Sequence, residues 1–203
     1  MDELGLFPLG LVLLPTERLP LHIFEERYKE LIGECIEHER EFGLVYADED
    51  GLRDVGTRAR VTEVLTRFED GRMNVLIEGG ERFRLGEVTD GQSYATGTVS
   101  SVDDDDDAPD GAVVEEALRT FGALREVTGS DVEVPDPATP HLSFALAAKV
   151  ELPSGQKLAL LRELSERRRM EIVQEILEEA VLTAQRVRRA ARRAATNGKV
   201  DLG

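Results

Sequence analysis

The fold is decided by the stretch TRARVTEVLTRFEDGRMNVLIEGGERFRLGEV, residues 57–88, in which two β-rich runs flank Asp70 and Gly71. An Asp-Gly pair between two such runs is among the strongest short-range signals for a tight hairpin turn. Farther along the second run, Gly79 and Gly80 predict a bulge or a bend. The stretch therefore predicts a long antiparallel hairpin that changes direction after its turn.

Other short runs before and after this hairpin predict further strands, because they are apolar or β-branched and end at turn residues. They are LFPL (6–9), LVLLP (11–15), EFGLVYADEDG (41–51) and SYATGTVSSV (93–102). Between them, the stretch LPLHIFEERYKELIGECIE (19–37) changes from strand spacing to helix spacing. Several short strands with one inserted helix predict a small twisted barrel. The residues expected on the buried face of the helix are Phe24, Tyr28, Leu31, Ile32 and Cys35.

After the acidic stretch DDDDDAPDG, the apolar period changes from two to 3.6. The predicted class is α+β, with a barrel over residues 1–102, an acidic linker over 103–111 and a helical bundle over 112–203. The bundle is expected to end in one long helix with a basic end. Expected helix caps are Asp110, Thr139, Ser154 and Ser165, with Pro140 at a first helical position, Gly129 as one stop and Asn197-Gly198 as the last.

Composition points to a soluble protein of a reducing compartment. The chain has 203 residues, a formal net charge of -16 and one cysteine, so no disulfide can form within it. Its first residues, MDELGLF, carry acids where a signal peptide needs cations. No apolar run approaches the ~20 residues that span a bilayer. We expect a cytoplasmic protein without membrane contact, and the negative charge makes nucleic acid an unfavourable partner.

A search for chemistry finds no recognisable motif. The sequence lacks the Gly-rich phosphate loop with its lysine, the G-x-S-x-G serine motif and the paired cysteines or histidines of a zinc site. Its three histidines, His22, His38 and His141, are far apart. We therefore expect no catalytic residues, no cofactor and no metal.

One apolar residue stands out on the predicted hairpin. Alternation places Leu76 on an otherwise polar strand face, between Asn74 and Glu78. Leu9 and Pro20 lie beside bends in neighbouring segments and could join it. An apolar patch on a sheet is a common way to hold unfolded peptide, so Leu9, Pro20 and Leu76 are the candidate binding residues. The alternative is that the helical half covers them.

These segments together resemble the N-terminal domain of the Lon ATP-dependent protease. The resemblance rests on LFPLG-LVLLP, LPLHIFEERY, FGLVY, DGRMNVLIEGGERFRL and HLSFALAAKVELPSGQKLALLRELSERRRMEIVQEIL, and extends from about Leu4 to Ala184. Glu26 stands where the family often has proline, and both residues suit a helix start. The resemblance implies a PUA-like barrel followed by a helical bundle. In the family this domain recruits unfolded proteins and helps to hold the hexamer, while the ATPase and Ser-Lys protease modules lie downstream.

The leading functional hypothesis is a stand-alone, non-catalytic domain that binds unfolded polypeptide or a protein partner, as an adaptor in protein quality control. A Lon protease or a second copy of the chain are further partners that this hypothesis allows. The alternative is an RNA-binding PUA-like protein, which would need a basic strip on the barrel. Its candidate residues are Arg58, Arg60, Arg67, Arg72, Arg82 and Arg84.

The basic end of the last predicted helix, VRRAARRAATNGK, has two interpretations. It could dock onto an acidic partner or nucleic acid. It could also be a solvated helix end whose cations complement the negative end of the helix dipole. The overall negative charge favours the second interpretation over nucleic-acid binding.

Overall fold

The computed structural model describes residues 2–90 and 93–197. The strands in this range are β1 (Asp2–Leu9), β2 (Arg18–Ile23), β3 (Phe42–Asp48), β4 (Gly51–Arg67), β5 (Met73–Asp90) and β6 (Ala95–Ser101). The helices are α1 (Glu26–Glu37), α2 (Gly111–Thr128), α3 (Leu142–Ala147), α4 (Ser154–Arg162) and α5 (Glu166–Asn197). The predicted α+β class is confirmed. Gly198, half of the last predicted helix stop, lies outside the described residues.

All six strands belong to one sheet in the order β2-β5-β4-β3-β1-β6, and β5 also pairs with β6. The pairings therefore form a closed ring of five strands, with β2 added beside β5. β1 and β3 run parallel, and the other pairs are antiparallel. β5 closes the ring because it pairs with β4 along much of its length and with β6 over its last part, while its first part also pairs with β2.

The change of direction in β5 falls at the predicted glycine pair. Gly79 lies opposite Ala59, and the β4–β5 register shifts just beyond it. The loop after β1 lies directly against this point: Gly79 N–H donates to the carbonyl of Glu17 at 2.9 Å, and Thr16 N–H donates to the carbonyl of Gly79 at 2.8 Å. A Cβ on Gly79 would stand only 2.1 Å from the carbonyl oxygen of Leu14. Only glycine allows this close approach.

The loop over residues 10–17 corrects one expectation. LVLLP was predicted as a strand or part of one, but it forms an irregular segment. Leu13 and Leu14 are nevertheless fully buried. The apolar run reflects burial rather than sheet pairing, and periodicity alone cannot separate the two.

The main core cluster lies between α1 and the inner face of the strands. Strand alternation is borne out in β5, where Met73, Val75 and Ile77 are all buried. Four of the five residues expected on the buried face of α1 are buried as well: Tyr28, Leu31, Ile32 and Cys35. The fifth, Phe24, was misassigned. It lies before the first helical residue, outside the helical period, and is 59% exposed.

The chain divides into two units: residues 1–105 with 147–164, and residues 106–146 with 165–203. Residues 147–164, which the sequence places with the helices, thus group with the strands. In this first unit, Arg82 of β5 is buried and donates to the carbonyls of Leu161 at 2.8 Å and Glu163 at 2.9 Å. It also pairs with Asp104 of the acidic stretch. Part of the predicted linker is therefore packed, because its carboxylate neutralises a buried guanidinium.

In the second unit, α2 and α5 pack against each other. Asp110 caps α2 by accepting from Ala112 N–H at 2.8 Å, and Gly129 ends it with a φ of 72°. Ser165 caps α5 by accepting from Arg168 N–H at 2.9 Å. These three sequence predictions are confirmed.

Two predicted helix starts are wrong. α3 begins at Leu142 rather than at Pro140, because His141 has a φ of 49°, outside the helical region. Ser154 is the first residue of α4 and not its cap; Pro153 holds the cap position with extended backbone. None of the described helices is long and apolar enough to cross a membrane.

Candidate functional site

Two of the three predicted binding residues are directly opposed in the sheet. Pro20 of β2 pairs with Leu76 of β5 in the antiparallel register. Leu76 points away from the core, since its neighbours Val75 and Ile77 are fully buried. Pro20 is exposed and Leu76 is half-buried. Directly opposed side chains lie about 5 Å apart, so the two form one apolar contact on the outer face.

On one side of the Pro20–Leu76 pair, toward the start of β2, charged side chains form ion pairs with one another. Arg18 lies opposite Glu78 in the register, and its Nε donates to the Glu78 carboxylate at 2.7 Å. Arg60 of β4 donates to the other oxygen of the same carboxylate at 2.6 Å. Burial alone would raise the pKa of Glu78, but these two hydrogen bonds hold it below its ordinary value. Glu78 is thus an anchored anion rather than a free acid.

On the other side of the Pro20–Leu76 pair, toward the end of β2, lie aromatic rings. His22 is opposite Asn74, and its Nδ1 lies 2.6 Å from the side-chain oxygen of Asn74. The His22 ring stacks on Phe24 with centroids 5.9 Å apart. It meets Phe68 edge-on at 6.0 Å. Arg72 lies over the other aromatic neighbour, with its guanidinium carbon 5.2 Å from the centroid of Phe68.

The register explains why the two phenylalanines meet. Met73, the first residue of β5, pairs with Ile23 on one side and with Arg67 on the other. Phe24 and Phe68 directly follow these two partners, so both leave the sheet at the same end. They are 59% and 38% exposed. Their position next to His22 joins them to the Pro20–Leu76 contact.

We call this surface the outer strip. It consists of Pro20, His22, Phe24, Phe68 and Leu76. Sequence reasoning found Pro20 and Leu76 but missed the other three members, since it assigned Phe24 to the buried face of α1 and gave His22 and Phe68 no role in binding. The two phenylalanines could have been recognised from their places in the chain. Phe24 precedes the helix start and Phe68 precedes the Asp70-Gly71 turn, so neither has an inward-facing position.

Leu9, the third predicted residue, is placed differently. It ends β1, whose partners among the described strands are β3 and β6, and it pairs with Tyr46. Its side chain is half-buried and packs against the main core cluster. The strand pairing that joins Pro20 to Leu76 does not include it.

A groove of about 480 Å³ lies between α1 and β4. Cys35, Arg40 and Glu63 contribute to its lining. Burial raises the pKa of the Cys35 thiol to about 11, with the neighbouring Glu34 carboxylate acting in the same direction. At neutral pH this thiol keeps its proton and is a poor nucleophile. The groove therefore offers contacts rather than a reactive group.

Comparison with known proteins agrees with the fold. The model of the ATP-dependent protease La (LON) substrate-binding domain matches residues 3–179. The chain is 29% identical over 183 residues to the Lon protease of Anaeromyxobacter dehalogenans, covering 82% of this chain and 22% of that protein. It is 28% identical to Lon protease 2 of Myxococcus xanthus, with the same coverage. The chain thus spans about a fifth of the length of these relatives.

Two solved structures resemble the fold. A Lon N-terminal domain protein from Xanthomonas campestris is 26% identical, with a TM-score of 0.63 over 85% of this chain and 97% of that one. The N-terminal domain of a Mycobacterium avium complex Lon protease is 16% identical, with a TM-score of 0.68 over 87% and 98%. With the family match over residues 3–179, these likenesses confirm the expectation from the sequence: the chain belongs to the Lon substrate-binding domain family.

Proposed function

We propose that this protein binds unfolded or partly folded polypeptide on the outer strip and performs no chemistry on it, as a cytoplasmic adaptor in protein quality control. One observation carries the proposal. Apolar side chains from separate segments meet on the outer face of the strands, where they are in contact with water unless a partner covers them. Phe24 alone is 59% exposed. Contiguous exposed apolar surface is costly and marks interaction sites.

The composition of the strip suits a tolerant binder. A proline, a leucine and two phenylalanines offer apolar contact without a directional hydrogen-bond pattern, so many sequences can be accepted. Two of the nearby carboxylates are already engaged, as Glu78 is held by Arg18 and Arg60 and Asp70 by Arg72, while Glu63 of β4 lies opposite Leu76. A bound segment therefore does not have to break strong solvation of these groups.

Binding through side chains is favoured over the addition of a strand. Within the described residues, β2 pairs with β5 alone, so its second edge is open. Pro20 stands in the middle of β2 and has no N–H to donate. Proline on an edge strand interrupts the row of donors that an added strand needs. A segment on the outer strip would then be held chiefly by apolar contacts.

The assignment of the strands to a PUA-like barrel is part of the same proposal. The closed ring of five strands, with α1 packed against its core, is consistent with the PUA-like barrel that the family resemblance implies. Leu9, which packs against the main core cluster, stays a candidate peptide contact separate from the outer strip. A full-length Lon protease, or a client delivered to one, is the partner that this assignment suggests.

The paired arginines weigh against the RNA-binding alternative. Five of the six arginines that could form a basic strip are engaged in ion pairs with carboxylates: Arg58, Arg60, Arg72, Arg82 and Arg84. A phosphate backbone would have to displace those carboxylates. RNA affinity with a steep salt dependence would favour the alternative over peptide binding.

The direct test is fluorescence anisotropy with labelled peptides from denatured casein, without ATP. We expect saturable binding to the wild-type protein and a loss of at least about tenfold in Leu76→Asp, because a charge would then replace the apolar centre of the strip. Leu52→Asp is the matched control, since Leu52 is an exposed leucine of β4 that pairs with Ala47 of β3 and lies outside the strip. Equal affinities of both variants and wild type would refute the assignment.

A further inference from the structure

Helix α5 carries a charge pattern that reverses about its middle residue, Leu182. Glutamates stand four, seven and eleven residues before Leu182, and arginines stand four, seven and eleven residues after it. We call this set, with Leu182, the α5 stripe. Its charged members are Glu171, Glu175, Glu178, Arg186, Arg189 and Arg193.

The α5 stripe lies on one side of the helix. Spacings of four, seven and eleven residues return to nearly the same direction because an α-helix has 3.6 residues per turn. The opposite side holds the buried residues Met170, Val173 and Leu177. Leu182 is 54% exposed. Among the charged members, Glu171 is half-buried and the others are exposed. Within one copy, Glu171 pairs with Arg168 at 2.7 Å and Glu178 accepts from Gln174 Nε2 at 2.8 Å, so arginines of a partner would add to or replace these contacts.

We propose that α5 pairs with α5 of a second copy of this chain in an antiparallel arrangement, with the two Leu182 side chains in contact at the two-fold axis. Such an axis sets each arginine of one copy against a glutamate of the other. The pairs are Arg186 with the partner's Glu178, Arg189 with the partner's Glu175, and Arg193 with the partner's Glu171. Symmetry doubles each of them.

The pattern selects both the direction and the partner. A parallel, in-register pair would set glutamate against glutamate and arginine against arginine, which is repulsive. A uniformly acidic partner would match the arginine half and be repelled by the glutamate half. Only a helix with the reversed order of charges complements the whole stripe, and the same helix read in the opposite direction has that order. A two-fold interface of this kind is closed and self-complementary.

The pairing also accounts for the length of the helix. Leu182 lies at the middle of Glu166–Asn197, so an axis there lets the two helices overlap along their whole length. At 1.5 Å per residue, the α5 stripe extends over about 33 Å. The basic end of the helix then faces the glutamates in the first half of the second copy's α5, and neither nucleic acid nor solvent alone is needed to balance it.

The interaction depends on ion pairs and is therefore expected to be weak and salt-sensitive. Exposed pairs each contribute little, and a single apolar contact at the axis adds modestly. The formal net charge of -16 on each copy opposes association at long range. At about 0.15 M salt, screening reduces that long-range repulsion more than it reduces pairs in contact. At about 1 M salt the pairs themselves are screened.

Analytical ultracentrifugation across a range of protein concentrations tests the proposal. Reversing the arginine half (R186E/R189E/R193E) or the glutamate half (E171R/E175R/E178R) should weaken self-association of each variant by at least about tenfold. An equimolar mixture of the two variants should associate, because each stripe then faces uniformly opposite charge. The variant carrying all six changes should again self-associate as the wild type does.

Two controls separate this result from a loss of folding or of peptide binding. Circular dichroism should show equal helix content in all variants, and casein-peptide affinity should be unchanged, since the outer strip is not altered. Among single changes, Arg189→Glu lies on the α5 stripe and Arg188→Glu is its matched control. Adjacent residues are about 100° apart around the helix, so Arg188 lies off the stripe. A wild-type protein that stays monomeric at all concentrations, or variants that associate as the wild type does, would overturn the proposal.

Discussion

Pro20 of β2 lies directly opposite Leu76 of β5, on the face of the sheet that points away from the core. The two residues are 56 positions apart in the sequence, and the antiparallel register alone brings them together. The same register delivers Phe24 and Phe68 to the end of these strands. The outer strip is thus a product of strand pairing, and each of its members can be changed without touching the core cluster.

The two phenylalanines should act together in peptide binding. We expect Phe24→Ala and Phe68→Ala each to weaken casein-peptide binding several-fold, because each removes an exposed ring from the strip. The effects should not be additive, since both rings contact His22. Anisotropy titrations of the single and double variants measure this coupling. If Phe24→Ala and Phe68→Ala lowered the peptide affinity no more than Leu52→Ala does, and additively, the rings would not be part of the site.

Pro20→Val tests the role of the proline on the open edge. The change keeps an apolar side chain but restores an N–H donor in β2, so strand addition between molecules becomes easier. We expect faster aggregation at elevated temperature, followed by light scattering, with nearly unchanged affinity for casein peptides. If Pro20→Val instead strengthened peptide binding strongly, the peptide would be adding as a strand.

Gly79→Ala should destabilise the protein markedly. The new Cβ would lie 2.1 Å from the carbonyl oxygen of Leu14, and backbone cannot rotate away as a side chain can. We expect a loss of about 1–3 kcal/mol or more in the free energy of unfolding, measured by urea denaturation. Gly33→Ala is the control. Gly33 lies in α1 with no atom within 4 Å of the added Cβ, and alanine there should stabilise by about 0.5–1 kcal/mol.

Cys35 should be unreactive in the folded protein. Burial raises its thiol pKa to about 11, so little thiolate exists at pH 8, and the side chain is buried in the main core cluster. We expect slow reaction with a thiol reagent such as Ellman's reagent under native conditions and rapid, stoichiometric reaction in guanidinium chloride. Fast labelling of the native protein would contradict the packing of α1 against the strands.

Glu78 should make stability depend on pH in the acid range. The hydrogen bonds from Arg18 and Arg60 hold its pKa below the ordinary value of 4.5. A carboxyl with a lowered pKa in the folded state contributes stability above its ordinary pKa and loses it as the pH falls through the lowered value. We expect Glu78→Gln to flatten this part of the profile of unfolding free energy against pH. Glu63→Gln, on the neighbouring strand, is the control.

Local signals in the sequence were sufficient for much of the fold. Asp70-Gly71 specified the hairpin, because few other residues adopt the backbone that such a turn requires, and Gly71 indeed has a φ of 82°. Asp110, Gly129 and Ser165 marked helix ends through hydrogen bonds that form within a few residues. The family resemblance extended these local results to the whole domain. The signal in LVLLP was ambiguous: the sequence correctly predicted that this segment is buried but wrongly predicted that it forms a strand.

The sequence by itself thus determined the α+β class, the hairpin, the inward face of β5 and the buried face of α1, because each depends on interactions between neighbours in the chain. It also contained the reversed charges of the α5 stripe in full. Only the tertiary structure decided that Pro20 meets Leu76, that Phe24 is exposed beside Phe68, and that Arg82 holds Asp104 of the acidic stretch. Those relationships depend on register and on packing between distant segments, and the physical reason is that a one-residue shift of a strand would send every side chain to the other face.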